Sequence, residues 1–211
     1  MPMTPARLLL ADDHALILEG FRNVLEPNHT VVDMVTDGRA LVEAALRLKP
    51  DLIILDITMP LLNGIDAARE IKKHLPEVKL LFVTMHANPT YLRAALDVGA
   101  TGYVLKSSAR EEILIAVEKV LKGEYFVTAG VGPKALDEGA DPARVAASVH
   151  LSPREREILQ LVAEGKSTKQ AAHVLSISEK TVAFHKDNLK RKLGLHTTAE
   201  LTKYALNEGL I

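Results

Sequence analysis

Five residues that lie far apart along the chain could do chemistry together: the adjacent Asp12 and Asp13, then Asp56, Thr84 and Lys106. Each stands at the end of a short apolar run. Leu8-Leu9-Leu10-Ala11 precedes the acidic pair, Leu52-Ile53-Ile54-Leu55 precedes Asp56, Thr84 closes Lys79–Thr84, and Lys106 follows Gly102–Leu105. Open parallel sheets bind ligands beyond the carboxyl ends of their strands, close to the point where strand order reverses. The five residues would therefore meet on one edge. Three carboxylates brought close repel one another, which calls for a divalent cation, and an oxygen donor set with open water positions suits Mg2+. Beside such a cation one carboxylate can attack a phosphoryl donor. The cation, the lysine and the hydroxyl would then stabilise charge on the transferring group. A single aspartate at a strand end is usually a cap or turn former; agreement among four strand ends carries the functional reading.

The elements that must position these residues follow from hydrophobic patterning. Apolar runs at Arg7–Ala11, Val31–Val35, Asp51–Leu55, Lys79–Thr84 and Gly102–Leu105 alternate with amphipathic segments such as Ala40–Leu48 and Ile65–Leu75. Two of the runs are apolar at every position, the mark of strands covered on both faces. The last helix opens with Ser108-Ala109-Arg110-Glu111, a capping-box pattern. Residues 1–123 are thus expected to form an α/β domain, a five-stranded doubly wound parallel sheet of flavodoxin-like kind. Residues 124–148, with scattered Gly130, Gly132, Pro133, Gly139 and Pro142, read as a linker with one short helical piece at Arg144–Ser148.

Residues 149–211 read as an all-α domain of four short helices. Ser152-Pro153-Arg154-Glu155 and Ser167-Thr168-Lys169-Gln170 are capping boxes, Ser178 caps the third helix, and Thr197-Thr198-Ala199-Glu200 opens the fourth. Gly165 and Gly194 stand where helices should end. Thr168–Leu175 and Glu179–Leu193, separated by Ser176-Ile177-Ser178, have helix-turn-helix spacing. At about 100° per residue the second of these buries Val182, Leu189 and Leu193. It turns outward Lys180, Ala183, Phe184, Asp187 and Arg191, with Thr181 and Asn188 at the border and Lys186, Lys190 and Lys192 able to reach phosphates. His185 falls between the two faces.

Net charge is −1, but its distribution is uneven: residues 1–123 carry −2, 124–148 carry −2 and 149–211 carry +3. The basic end suits a polyanion. No apolar run approaches the roughly 20 residues of a membrane span. Met1–Arg7 lacks a secretory layout, and the chain has no cysteine for disulfides or thiolate metal sites. A cytoplasmic protein with no membrane partner is expected.

Asp12-Asp13, Asp56-Ile57-Thr58-Met59-Pro60 with Gly64, Thr84, Tyr103 and Lys106 resemble the receiver signature of bacterial two-component systems. The resemblance implies that Asp56 is the phosphoacceptor, supplied by a cognate sensor histidine kinase. It also implies that Asp12, Asp13, Asp56 and the backbone carbonyl of Thr58 hold Mg2+. Thr84 and Lys106 would contact the phosphate, and Tyr103 would swing inward to alter the face built from the fourth helix, fifth strand and fifth helix. Many receivers have proline after the lysine, where this chain has Ser107. His14 reads as a helix-start residue without chemistry and His86 as a surface-loop residue.

Leu151-Ser152-Pro153-Arg154-Glu155, Thr181-Val182-Ala183-Phe184-His185 and Arg191-Lys192-Leu193-Gly194 resemble the LuxR-type DNA-binding domain. Together the two resemblances identify the chain as a member of the NarL/FixJ subfamily of response regulators. They imply double-stranded DNA as a partner, with Lys180, Thr181, Ala183, Phe184, Asp187, Lys190 and Arg191 at the interface. They also imply a homodimer on activation through the last helix, at Thr198, Leu201 and Ala205. Ala183 and Asp187 stand where relatives are often basic; Phe184 could meet a thymine methyl and Asp187 a cytosine amino group, or Asp187 could repel phosphate. Such a chain is not an enzyme beyond promoting its own phosphorylation and dephosphorylation.

Two other functions are compatible with parts of the pattern. A receiver-controlled or phosphorylation-independent regulator could have a protein-binding output. A metal-dependent phosphohydrolase also uses an aspartyl-phosphate, but commonly places a second acid two residues beyond the nucleophile, where this chain has Thr58. The opposite charges of the two ends predict a docked resting state in which Glu179–Leu193 is covered.

Overall fold

Residues 5–129, 131 and 151–211 are described by a computed structural model. The α/β domain runs β1 Arg7–Ala11, α1 Ala15–Leu25, β2 Thr30–Val35, α2 Gly38–Leu48, β3 Leu52–Leu55, α3 Gly64–His74, β4 Lys79–Thr84, α4 Pro89–Asp97, β5 Gly102–Leu105, α5 Ala109–Leu121 and β6 Phe126–Val127. The all-parallel sheet has the order β2-β1-β3-β4-β5-β6. Strand order reverses between β1 and β3, which places the ends of those two strands beside each other, with Ala11 opposite Leu55.

The uninterrupted apolar runs are explained by two cores, one on each face. Leu9, Ala11, Ile53, Leu55, Leu80 and Phe82 point to the α2–α4 side. Their neighbours Leu8, Leu10, Leu52, Ile54, Leu81 and Val83 point to the α1 and α5 side. Both sets are buried. Each alternate residue therefore contributes apolar burial of about 25 cal/mol per Å2 to a different layer, and neither face tolerates polarity.

Two expectations about this domain need correction. The sheet has a sixth strand: Phe126–Val127 pairs with Gly102 and Tyr103 inside the stretch read as linker. Ser108 makes no capping bond, because its backbone is already helical and the helix starts from a turn in which its own N–H reaches Leu105 C=O. The Arg144–Ser148 piece lies outside the described residues.

The second domain comprises α6 Pro153–Ala163, α7 Thr168–Val174, α8 Glu179–Leu193 and α9 Thr198–Asn207. Its capping signals are realised. Ser152, Ser167 and Thr197 each form a reciprocal capping box, and Ser178 accepts the Thr181 N–H. Gly194 ends α8 with φ 65°, a left-handed conformation in which a Cβ would be strained. Ile158, Leu161, Val162, Ala171, Val182, Leu189, Leu201 and Ala205 form one core. No described helix is long and apolar enough to cross a membrane.

Candidate functional site

The sheet delivers the five residues to one edge as the strand-end argument requires. Asp12 and Asp56 are buried at the ends of β1 and β3, and Thr84 is fully buried at the end of β4. Lys106 follows β5; its Nζ lies 2.7 Å from Asp12 Oδ2 and 2.6 Å from Asp56 Oδ2. Burial alone would lower the lysine pKa, but hydrogen bonds to Asp12 and Asp56 outweigh it, and the pKa is raised. The ammonium is thus held charged between two carboxylates in a desolvated setting. Asp13 is more open, and the Nδ1 of His14 lies 2.7 Å from Asp13 Oδ1 and 3.1 Å from Asp12 Oδ1. The peptide after Lys106 is trans, as are all described peptides.

This donor set fits a hard divalent cation. Asp12, Asp13 and Asp56 supply carboxylate oxygens that outnumber the single ammonium; Asp12 and Asp13 are close enough to share an ion, with His14 beside them, and Asp56 is tied to Asp12 through Lys106. The loop after Asp56 is also built close. A Cβ on Gly64 would collide with the Asp56 carbonyl oxygen, so only glycine lets α3 begin there. The Gly64 N–H donates to Ile57 C=O at 2.7 Å.

Around this pocket lie three aromatic or imidazole side chains. Thr58 Oγ1 is 2.9 Å from His86 Nε2. His86 stacks at 4.5 Å on Tyr91, and its carbonyl accepts the Tyr103 hydroxyl at 2.6 Å. Tyr103 is 1% exposed and already turned inward. Burial first, then Tyr91 and Asp56, raise its pKa and keep the phenol neutral. Thr84 Oγ1 accepts the His86 N–H at 3.3 Å.

On the helical domain, Lys180, Ala183, Phe184, Asp187 and Arg191 are exposed along one side of α8, with Thr181 and Lys190 half-buried at its border. Phe184 is 58% exposed and meets His185 edge-on at 5.7 Å. A large aromatic presented to solvent beside basic side chains fits a groove-reading helix.

The response regulator receiver domain family matches residues 8–118, and the luxR family of bacterial regulatory proteins matches residues 149–205. The transcriptional regulatory protein MctR of Rhizobium johnstonii is 37% identical, over 97% of this chain and 95% of its own length. The oxygen regulatory protein NreC of Staphylococcus aureus is 35% identical, over 97% and 99%. A solved RcsB–DNA complex is 32% identical, covering 95% of this chain and 98% of its own, with a TM-score of 0.59. This chain belongs to the NarL/FixJ-type response regulators. It is a two-component response regulator with a DNA-binding output domain, and its family consists of regulators rather than typical enzymes.

Several side chains of the regulator differ from their expected places. Leu201 and Ala205 are fully buried against α6, so these two cannot form a dimer surface; of the three expected dimer residues only Thr198 is exposed. Lys192 is paired with Glu155 at 2.8 Å instead of projecting freely. His14 sits on the acidic pair, and His86 is half-buried over Thr58. The α8 face is open although the domains are in contact, so the expected covering of Glu179–Leu193 is replaced by a contact through α6. Gln160 of α6, 1% exposed, bonds to Met59 and Asn63 of the receiver. Sequence reasoning missed Gln160. The signal was an uncharged polar residue inside the buried run Ile158–Val162.

Proposed function

We propose that Asp56 accepts a phosphoryl group from a phosphohistidine of a cognate sensor kinase, and that this controls DNA binding by α8. An Asp56 carboxylate oxygen attacks phosphorus, the histidine N–P bond breaks, and the nitrogen leaves with the bonding pair. The observation that carries the reading is the bridge from Lys106 to Asp56 and Asp12 at 2.6 and 2.7 Å. It sets a fixed positive charge beside a buried nucleophile, where charge on the transferring group will develop. Asp12, Asp13, Asp56 and the Thr58 carbonyl would hold Mg2+, which neutralises phosphoryl charge when bound. Thr84 would donate its hydroxyl to a phosphoryl oxygen and Lys106 would pair with another. Tyr103 would register the change through its bond to the His86 carbonyl. Beyond this self-directed phosphorylation and dephosphorylation the regulator turns over no substrate.

On the output side, Lys180, Thr181, Ala183, Phe184, Asp187, Lys190 and Arg191 form the DNA face, and activated chains act as a homodimer in the cytoplasm. Thr198 and the neighbouring exposed positions of α9 are the available dimer contacts. The test is labelling from acetyl phosphate with Mg2+. Wild type should acquire one acid-stable, base-labile phosphoryl group, and Asp56→Asn none. Equal labelling of the two would overturn the assignment.

A further inference from the structure

The polar face that α6 turns toward the receiver is built to fit one segment of backbone, the loop that follows Asp56. Gln160 Nε2 donates to Met59 C=O at 2.8 Å, and Gln160 Oε1 accepts the Asn63 N–H at 2.8 Å. Glu164, one turn further, accepts the Leu61 N–H at 2.9 Å through Oε1, which also takes the second hydrogen of Gln160 at 2.8 Å. One turn earlier, Arg156 Nε lies 3.0 Å from Asp66 Oδ2, and Arg39 lies 3.1 Å from Glu157. Residues 156, 160 and 164 recur at helical spacing, so a single stripe of α6 makes these contacts. Loop and helix thus exchange three backbone hydrogen bonds, two through a carboxamide that is almost fully desolvated.

The loop itself is held in an unusual form. Leu61 has φ 67°, a left-handed conformation that is costly for a leucine and persists where surroundings enforce it. Its side chain packs against the core of the helical domain. At the loop's other end both Asp56 oxygens are taken, Oδ1 by the Ile57 N–H at 2.6 Å and Oδ2 by Lys106. A phosphoryl group takes one of these two oxygens and must displace the partner held there, and the loop that would have to adjust is pinned from the other domain.

We infer that Gln160 and Glu164 of the DNA-binding domain restrain phosphoryl transfer at Asp56 by clamping loop Met59–Asn63 in its unphosphorylated form. The device is not a cover over the DNA face, since α8 is open while the clamp is closed. Coupling of this kind is reciprocal: a clamp that resists phosphorylation is loosened by it. The inference rests on the assignment of Asp56 as phosphoacceptor.

The experiment uses the full chain and two readouts, initial labelling from acetyl phosphate with Mg2+ and hydrogen exchange of the Leu61 and Asn63 amides. Gln160→Ala should label about fivefold faster at saturating donor, a coupling at the lower end of those common in allosteric proteins. Both amides should exchange faster in that variant, and in wild type after treatment with beryllofluoride. Glu164→Ala should act in the same direction. Glu164→Gln, whose amide oxygen can still accept, should behave as wild type, which a merely structural loss would not reproduce. This pair also serves if Gln160→Ala loses its circular-dichroism signal. Labelling of a folded Gln160→Ala or Glu164→Ala that is unchanged or slower would overturn the clamp, as would wild-type amides that exchange as fast as in the variants. An Asp56→Asn chain that labels like wild type would instead remove the phosphoacceptor reading itself, so the two failures are distinct.

Discussion

The acidic pocket and the outer face of α8 are built in opposite ways. The pocket gathers residues from four strand ends; Asp12 and Asp56 there are buried, and the Lys106 side chain, 7% exposed, meets both within 3 Å. The α8 face comes from one continuous helix of 15 residues, and most of its polar side chains stand in solvent. Chemistry on a small phosphoryl group rewards charges fixed before the substrate arrives, because reorganising them would add to the barrier. Binding a polyanion rewards accessible charge that can adapt to a groove, with counterion release supplying much of the affinity. The same chain therefore spends its rigidity at one end and keeps its freedom at the other.

Chelation should separate the two regions most widely. Removing Mg2+ with EDTA should slow acetyl-phosphate labelling by about 100-fold, comparable to losing a preorganised charge at an acyl- or phosphoryl-transfer site. Binding of DNA by the unphosphorylated chain should be unchanged by the chelator. Labelling that proceeds equally in EDTA would mean that Lys106 alone neutralises the pocket.

Steric tolerance should differ almost as much. Gly64→Ala places a methyl group against the Asp56 carbonyl oxygen and should cost about 2 kcal/mol of stability, read as a shift in the urea midpoint. Ala183→Lys on the open helix should change stability by less than about 0.5 kcal/mol. Gly20, inside α1 with nothing near its missing Cβ, gives the internal control: Gly20→Ala should stabilise by roughly 0.5–1 kcal/mol. If Gly64→Ala proves neutral, the loop after Asp56 is not packed as tightly as the pocket requires.

A third measurement addresses charge on the helix. Lys190→Ala should weaken DNA binding uniformly across sequences and reduce the slope of log affinity against log salt by about 0.9, the value for one lost phosphate contact. Its labelling rate should match wild type. An unchanged slope would move the phosphate contact elsewhere on α8.

The same contrast explains what could be read before the fold was seen. Strand ends are legible because a run such as Leu52–Leu55, buried on both faces, leaves Asp56 as the first place where polarity is allowed. Capping boxes are equally legible, because Ser152 and Glu155 satisfy helix ends through local bonds. Contacts whose partner is remote carry little local signature. Phe126–Val127 is too short to show alternation, yet it pairs with β5. Gln160 stands out only as a polar residue inside the apolar run Ile158–Val162, and its partners Met59 and Asn63 lie about a hundred residues away, where no local pattern points to them. Leu201 and Ala205 are the exception, since apolar residues one turn apart are core spacing, and that pattern pointed to burial rather than to a dimer surface.

The smallest effect lies where the helical domain does have a fixed ion pair. Glu155 Oε2 meets Lys192 Nζ at 2.8 Å and also accepts the Ser152 N–H. Its pKa is lowered, chiefly by the Lys192 hydrogen bond, against an opposing effect of burial. A carboxyl whose folded-state pKa is depressed binds its proton more readily when unfolded. Its contribution is therefore complete above the ordinary glutamate value near 4.3 and is lost as pH falls through the lower folded value. Because Lys192 is more than a third exposed, solvent screening limits the pair to about 0.5 kcal/mol. Lys192→Met should lower the urea midpoint slightly at pH 7, and the gap from wild type should close on acidification below pH about 4. Raising salt at pH 7 should narrow it as well. The Lys106 ammonium has the opposite sign: its raised pKa makes its own contribution one that is lost only as pH rises, and its side chain, 7% exposed, is shielded from salt. If the gap for Lys192→Met persists in acid, the side chain acts there through packing of its methylenes rather than through its charge on Glu155.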